Sequence, residues 1–225
     1  MRPVLTDEEV AAFRADVCRV AEMLFARHGV AGVTMRQIAA ELDCSPATAY
    51  RYFRNKEEIQ TAVRAAAFNR FCEIIEEAAR SSPDPRKCAR HVGEAYLGFA
   101  LQNQDAYRMM FDVSQAAVTG NAELAQALAR ARRSMVSYVA PLVDQGIVRG
   151  EAHALGQMLW ASAHGLVMLR LSGVIADDAE LRQLHERTMS ALVRGAQPSR
   201  AANSATQAPL AISSPPARRA ARKTR

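Results

Sequence analysis

Residues 34–56 read TMRQIAAELDCSPATAYRYFRNK, and this segment predicts two short helices joined by a tight turn. Thr34 is followed three residues later by Gln37, a capping box that marks the start of the first helix. Ser45 and Pro46 mark the start of the second helix. Serine is a common N-cap residue. Proline is favoured at the first helical position, because a backbone N–H there would have no partner within the helix. Two capped helices so close together are typical of a helix-turn-helix.

The second helix of this pair is predicted to have an inner and an outer face. Ala49 and Phe53 are four residues apart and should face inward. The side chains expected to face outward are Thr48, Tyr50, Arg51 and Tyr52. Residues 44–56 carry three positive charges and no negative charge, and a local basic surface is what phosphate contact requires. Lys56, at the start of the next helix, adds a donor that suits a phosphate.

Apolar residues recur at spacings of three and four throughout residues 1–195, so the predicted fold class is all-α. We expect a three-helix DNA-binding domain followed by a larger helical domain for ligand binding and dimerisation. Further helices are predicted from Thr6 to Gly29, from Asn55 to Arg80, and over residues 86–102, 104–112, 121–145, 151–172 and 178–194. Pro141 should kink the helix of residues 121–145 or end it early.

The sequence SSPDP at residues 81–85 interrupts the helical pattern, because a residue before proline is pushed out of the helical region. We therefore predict a DNA-binding domain with its connecting helix over residues 1–80 and a ligand-binding and dimerisation domain over residues 81–195. Residues 196–225 hold six basic and no acidic residues, which leaves 23 of each in the rest of the chain. This basic tail is rich in Ala, Ser, Pro and Arg, a composition that predicts disorder.

The composition of the 225 residues, 49% hydrophobic and 23% charged, is typical of a globular protein. No apolar run approaches the roughly 18 residues of a membrane span, and the N-terminus lacks the pattern of a secretory signal. We therefore expect a cytoplasmic protein without membrane contact. The common phosphate-binding, metalloprotease and hydrolase motifs are missing from the sequence, so no catalytic residue, metal or cofactor is predicted and the protein is not expected to be an enzyme.

The second predicted domain concentrates large, adaptable side chains in an otherwise alanine-rich segment. They are predicted to line a pocket for a small apolar ligand, with His164 as its polar group. The predicted ligand-binding residues are Tyr96, Phe99, Tyr107, Met110, Phe111, Met158, Trp160, His164 and Met168. A packed core with one satisfied histidine is the alternative interpretation of the same pattern.

Small residues in the helix of residues 151–172 would allow another helix to approach closely. They are Gly156, Ala161, Ser162, Ala163 and Gly165, and the last helix adds Leu181, Leu184, Thr188 and Leu192. Together these residues predict a two-helix face that forms a four-helix bundle with a second copy of the chain. Packing of the small residues within one chain is the alternative.

Residues 20–63 strongly resemble the helix-turn-helix domain of the TetR (tetracycline-repressor) family of transcriptional regulators. The resemblance rests on the elements LF, G, T, IA, L, SPATAYRYF, NKEEI and V, which occur in this order. The sequence departs from the family in two places: the family usually has glycine in place of Ala47 and a larger aliphatic residue in place of Ala49. The resemblance implies backbone contacts from Thr34, Arg36, Gln37 and Lys56, and base and phosphate contacts from Ser45, Pro46, Ala47, Thr48, Tyr50, Arg51 and Tyr52. It also implies a homodimer on a palindromic operator of double-stranded DNA.

Residues 86–194 resemble the C-terminal domain of a TetR subgroup that has a W-x3-HG signature, here Trp160, His164 and Gly165. The leading hypothesis from these resemblances is a repressor. A small-molecule ligand is expected to release it from its operator. One alternative is a helical enzyme or small-molecule carrier with a three-helix N-terminal domain. Another is a nucleoid-type protein that binds DNA without sequence preference through its tail.

Overall fold

A computed structural model describes residues 6–112 and 121–198 of the chain. These residues form ten α-helices and no strand, which confirms the all-α fold class. The helices are α1 (Asp7–His28), α2 (Met35–Glu41), α3 (Pro46–Tyr52), α4 (Lys56–Ala79), α5 (Pro85–Gln102), α6 (Gln104–Met110), α7 (Ala122–Ser137), α8 (Ala140–Asp144), α9 (Ala152–Leu171) and α10 (Asp178–Gly195). None of the described helices is long and apolar enough to cross a membrane. The basic tail is predicted to be disordered, and its residues after 198 lie outside the described part of the chain.

Local capping determines where the first four helices begin. Thr6 and Thr34 each form a complete capping box with the residue three positions later. The Ser45 hydroxyl accepts a hydrogen bond from the Thr48 N–H at 3.1 Å, which caps α3. Asn55 caps α4 in the same way. These contacts confirm the helix starts predicted from the sequence, because each cap satisfies a backbone N–H that the helix itself leaves free.

The helix predicted over residues 121–145 is divided near Pro141, as expected of this proline: the chain forms α7 and then the short helix α8. Pro141 lies in the first turn of α8. Proline is tolerated there, whereas within a longer helix it would remove a backbone hydrogen bond and clash with the preceding turn. The early end of α7 is therefore the effect expected of this proline.

Two clusters of buried side chains form the main cores, and α4 contributes to both. The first cluster packs α1, α2, α3 and the first part of α4 around residues such as Phe25, Ile38 and Phe53. The second cluster packs the rest of α4 against the helices that follow, with Phe71 and Tyr107 among its largest members. The helix α4 thus connects the two cores, and the domain boundary at residue 80 stays a prediction.

The short helix α6 also reaches both cores. Met109 packs in the first cluster, whereas Tyr107 and Met110 pack in the second. The buried guanidinium of Arg64, on α4, donates a hydrogen bond from Nη2 to the Met110 carbonyl oxygen at 3.2 Å. A displacement of α6 would therefore disturb the packing of the N-terminal helices.

A carboxylate on α4 is held by two side chains of α7. Arg130 donates from Nε and Nη2 to the two carboxylate oxygens of Glu76, at 3.0 and 2.8 Å. The Ser134 hydroxyl donates to Oε1 of the same carboxylate at 2.6 Å. The hydrogen bonds from Arg130, with that from Ser134, lower the pKa of Glu76 from 4.5 to about 2. The charged form of Glu76 therefore stabilises the contact between α4 and α7.

We expect Glu76→Gln to lower the free energy of unfolding at pH 7 by about 1–2 kcal/mol, because the substitution removes a charge-assisted hydrogen-bonding group. Since the pKa of Glu76 is lower in the folded protein, its contribution is present above about pH 4.5 and is lost as the pH falls towards 2. Denaturant unfolding of both proteins between pH 7 and pH 3 measures this difference.

Glu73→Gln is the matched control, because Glu73 is 66% exposed and lies 3.9 Å from Arg130 Nη1. It should change the free energy of unfolding by no more than about 0.5 kcal/mol. If the wild-type and Glu76→Gln proteins lost stability in parallel as the pH fell, Glu76 would not be a source of the acid sensitivity.

Candidate DNA-binding surface and ligand cavity

The inner face of α3 is fixed to the first core. Ala49 and Phe53 are fully buried, as predicted. The guanidinium of Arg14, on α1, lies 4.1 Å from the centre of the Phe53 ring. Its Nη1 also donates a hydrogen bond to the Tyr52 carbonyl oxygen at 2.5 Å. With its inner face and its C-terminal end held in this way, α3 presents its opposite face to solvent.

The turn between α2 and α3 has one unusual backbone conformation. Asp43 has a φ of 49°, in the left-handed region that few residues other than glycine adopt. Aspartate tolerates this region better than most residues do. The next residue, Cys44, donates its N–H to the Ala39 carbonyl oxygen at 2.9 Å, which closes the turn. The sharp turn brings α3 back across the end of α2.

Most of the predicted DNA-contacting side chains are exposed. These are Thr34, Arg36, Gln37, Ser45, Pro46, Ala47, Tyr50 and Arg51. They lie at the start of α2 and on α3, and the Tyr50 side chain is 54% exposed. The surface formed by these eight residues is called the α3 surface below. DNA contact by any of them remains a prediction.

The remaining three predicted contacts are half-buried. The Tyr52 ring lies 4.4 Å from the Phe13 ring, between centroids, so the expectation that Tyr52 simply faces outward is wrong. The reason is that Tyr52 is three residues after Ala49 and shares its side of the helix. The Lys56 ammonium donates to the Val30 carbonyl oxygen at 2.8 Å. The Thr48 hydroxyl shares a hydrogen bond with that of Ser45 at 2.9 Å.

The basic residues near α3 differ in whether their side chains already have partners within the protein. Arg54 forms an ion pair with Glu58 at 3.2 Å, and Lys56 uses one of its three N–H groups on a carbonyl oxygen. Arg51 forms no ion pair with any described residue, and its guanidinium lies 5.9 Å from the centre of the Tyr52 ring. Of Arg51, Arg54 and Lys56, Arg51 is therefore the cation that is most available to an external anion.

We expect Arg51→Ala and Tyr50→Phe each to weaken binding to a specific DNA site while leaving the fold intact, because both side chains are exposed. Loss of one good base contact costs about 1–3 kcal/mol of discrimination. Fluorescence anisotropy with a labelled DNA duplex measures the change. Arg133→Ala, an exposed arginine on α7, is the control and should bind as the parent does. Unchanged affinity in both α3 variants would show that α3 does not read DNA.

A cavity of about 600 Å³ lies among α5, α7, α9 and α10. Two of the predicted ligand-binding residues, Tyr96 and Trp160, line it. Tyr138, which caps the C-terminal end of α7, and His185 of α10 also line it, and neither is predicted from the sequence. A sequence signal for His185 existed, since this residue follows the fully buried Leu181 by four positions and so shares its inward face.

Other predicted ligand-binding residues pack in the second core beside this cavity. Phe99, Tyr107 and Met110 are buried, and Phe111 packs against them. The Tyr107 hydroxyl shares hydrogen bonds with the Tyr96 hydroxyl at 2.6 Å and with His164 Nδ1 at 2.7 Å. His164 is thus a histidine with an internal partner, as in the alternative interpretation of the sequence.

Met158 and Met168 do not line the cavity, so their predicted place in one pocket with Trp160 is wrong. Their side chains are 52% and 40% exposed. Both lie on the outer face of α9, where a helix only partly covered by its neighbours leaves apolar residues in solvent. With Ala161, Gly165 and Leu169 they form an exposed apolar stripe, called the α9 stripe below.

The small residues of α9 serve different contacts. A Cβ atom at Gly156 would come within 3.0 Å of the Cα atom of Val136, so glycine allows α9 to cross α7 closely. Ala163 is also buried within the chain. These two residues belong to internal packing, which corrects the prediction that all five small residues form a dimer face. Ala161 and Gly165 remain exposed.

The polar groups inside the cavity are uncharged near pH 7. Burial raises the pKa of Tyr96 and of Tyr138 well above the usual value of 10. Burial lowers the pKa of His185 below 6.5. The charged side chains that line the cavity are exposed at its rim, and they are Arg86, Arg90, Glu94, Arg182 and Glu186. The described residues contain no cluster of side chains that could hold a metal ion.

Comparison with known proteins relates both halves of the chain to one family. Residues 18–63 match the family model described as bacterial regulatory proteins of the tetR family. Residues 89–192 match the model described as a tetracyclin repressor-like C-terminal domain. No functionally curated protein shows significant sequence similarity to the chain.

Solved structures share the whole fold at low sequence identity. A protein of unknown function from Rhodococcus sp. RHA1 is 22% identical, with a TM-score of 0.73 over 88% of this chain and 100% of the other. A TetR-family transcriptional regulator from Pectobacterium atrosepticum is 22% identical, with a TM-score of 0.69 over 87% and 99%. A ketosteroid transcriptional regulator of Mycobacterium tuberculosis is 15% identical, with a TM-score of 0.58 over 83% and 96%.

The two family matches agree with the geometry of the molecule. The first covers the capped helix pair with its exposed α3 surface, and the second covers the helices that enclose the cavity. The W-x3-HG subgroup stays a prediction. The chain belongs to the TetR family of transcriptional regulators, with a helix-turn-helix DNA-binding domain followed by a helical C-terminal domain.

Proposed function

We propose that this regulator is a homodimeric repressor that binds a palindromic operator and is released from it by a small apolar ligand. The observation that carries the proposal is the exposure of Tyr50 and Arg51 on a helix whose inner face is fixed by Ala49 and Phe53. A rigid helix with free polar side chains suits entry into the major groove.

The α9 stripe supports the dimeric part of the proposal. It places Met158, Met168 and Leu169 in solvent in a single chain, where exposed apolar residues at helical spacing are unfavourable. The small side chains of Ala161 and Gly165 between them would let a second copy approach closely. A two-fold pair of such helices would bury the stripe of each copy against that of the other.

The position of α6 supports release by a ligand. Tyr96 forms part of the cavity wall, and its hydroxyl is hydrogen-bonded to that of Tyr107 on α6. Met109 on the same helix packs in the core of the DNA-binding domain. A ligand that displaced Tyr96 would therefore move α6 and change the distance between the two α3 helices of a dimer. Half-sites about 34–36 Å apart tolerate little change in that distance.

DNase I footprinting on the DNA upstream of the protein's own gene tests the proposal. A repressor of this kind should protect two symmetrical half-sites whose centres lie about one helical turn, or a multiple of it, apart. Diffuse protection that weakens uniformly with salt would instead favour a nucleoid-type protein that contacts only phosphates. Absence of protection on any DNA would favour the helical carrier or enzyme.

A further inference from the structure

The cavity combines apolar walls with polar atoms that lack partners. His185 is only 9% exposed, yet its Nε2 has no hydrogen-bond partner among the described residues. The Trp160 Nε1 is buried as well; it faces the Tyr96 hydroxyl but forms no hydrogen bond of good geometry with a described residue. Both atoms are closed off from solvent, but their residues line the cavity. Buried polar atoms nearly always have partners in folded proteins, so a ligand that shifts these side chains on binding would supply the partners that they lack.

A third polar group at the wall is the hydroxyl of Tyr138. This side chain is half-buried, and its burial raises the pKa of the hydroxyl. The hydroxyl can both donate and accept, whereas the Trp160 indole can only donate. A ligand that satisfies both groups must therefore carry at least one acceptor atom.

The ring of His185 is held in place by its neighbour on α5. A Cβ atom at Gly93 would lie 2.8 Å from His185 Cε1, so any larger residue at position 93 would push the imidazole away. Glycine here lets the ring rest against the α5 backbone. The unpaired histidine is thus a fixed part of the wall.

Among the described residues that line the cavity, no buried cation could stabilise a carboxylate inside it. The arginines Arg86, Arg90 and Arg182 are exposed at the rim, where Glu94 and Glu186 offset part of their charge. Arg90 and Glu94 lie 3.8 Å apart. Because burial of an unpaired charge is strongly unfavourable, an ionised group would not enter the apolar part of the cavity.

We propose that the cavity binds an uncharged, largely apolar ligand that carries a ketone or hydroxyl oxygen, and that Tyr138, Trp160 and His185 supply its hydrogen bonds. This inference rests on the proposed ligand response and specifies the chemistry of the ligand. The oxygen sits among the three polar side chains, and the hydrocarbon part contacts the apolar walls.

Three compounds with one skeleton test the proposal: 4′-pentylacetophenone, pentylbenzene and 4-pentylbenzoate. Trp160 is the only tryptophan of the chain, so its fluorescence reports directly on occupancy of the cavity. At pH 7.5 the ketone should bind about tenfold more tightly than the hydrocarbon, because its oxygen gains hydrogen bonds that the hydrocarbon cannot form. The benzoate should bind more weakly than the ketone, since its charge must be desolvated.

Two conservative variants test whether the preference for the ketone comes from the polar side chains of the cavity wall. Tyr138→Phe should lower the preference for the ketone over pentylbenzene, because one of the hydrogen bonds to the oxygen is lost, while binding of pentylbenzene itself stays the same. Trp160→Phe should also lower this preference. Because this substitution removes the fluorophore, its binding is measured by the ligand-induced shift in melting temperature. Tyr50→Phe, on the α3 surface, is the control and should bind all three compounds as the parent does.

Three results would overturn the proposal. The first is that none of the compounds binds. The second is that the benzoate binds most tightly and loses affinity in Arg182→Gln, and the third is that both wall variants keep the parent's preference for the ketone. These titrations contain no DNA. A ketone that binds as predicted but leaves DNA binding unchanged would therefore contradict the proposed repressor mechanism alone. A protein released from DNA by the benzoate would contradict only the chemistry of the ligand.

Discussion

Phe71→Ala should lower the free energy of unfolding by about 3–5 kcal/mol, because the substitution leaves a large hole in the second core. Phe71 is fully buried on α4. Its ring packs edge-on against Tyr96 and Phe99, with centroids 5.4 and 5.3 Å away. Denaturant unfolding followed by circular dichroism measures the loss. Because Tyr96 forms part of the cavity wall, binding in the cavity should weaken as well.

Ile74→Ala is the matched control for this substitution. Ile74 lies on the same helix three residues later, and its side chain is 39% exposed. Its removal should change the free energy of unfolding by about 0.5 kcal/mol, as at most surface positions. Equal losses in the two variants would mean that Phe71 does not occupy the packed position that the structure gives it.

Tyr107→Phe should cost about 2–4 kcal/mol of folding free energy through the loss of a single oxygen atom. That hydroxyl is the shared partner of Tyr96 and His164. Phenylalanine fills nearly the same volume, so the cost comes from two polar groups left without this partner in or near the core, at about 1–3 kcal/mol each. The change in denaturation midpoint at constant slope measures it.

Tyr50→Phe removes the same atom at an exposed position and should alter the stability by no more than about 0.5 kcal/mol. The comparison separates the effect of the hydrogen-bond chain from that of a missing hydroxyl in general. If Tyr107→Phe were as stable as Tyr50→Phe, the chain from Tyr96 through Tyr107 to His164 would have no energetic role, and its part in moving α6 would have to be abandoned.

Features fixed by local chemistry could be predicted from the sequence. The capping boxes at Thr6 and Thr34, and the cap at Ser45 before a proline, set helix starts through contacts within four residues. The helix-turn-helix is made almost entirely of such signals. Its buried anchors, Ala49 and Phe53, follow from helical periodicity alone.

Features that depend on which face of a helix meets another helix were predicted less well. The sequence shows that Met158 and Met168 are large and apolar, but only the packing of α9 on its neighbours shows that they lie outside. Tyr52 is a different case: it follows Ala49 by three positions, so helical spacing alone places it on the inner side of α3, where its ring contacts Phe13 of α1. The cavity depends on four helices at once, and this is why Tyr138 escaped prediction.

Selection of binding sites from a pool of random DNA duplexes tests most directly whether the α3 surface reads DNA as part of a dimer. The parent protein should enrich a palindrome with half-sites about one helical turn apart. The Arg51→Ala protein should lose preference at particular positions of each half-site, whereas Arg133→Ala should enrich the parent sequence. The absence of any enriched sequence, or the same palindrome with the same preferences from Arg51→Ala, would contradict the assignment of α3 as the recognition helix.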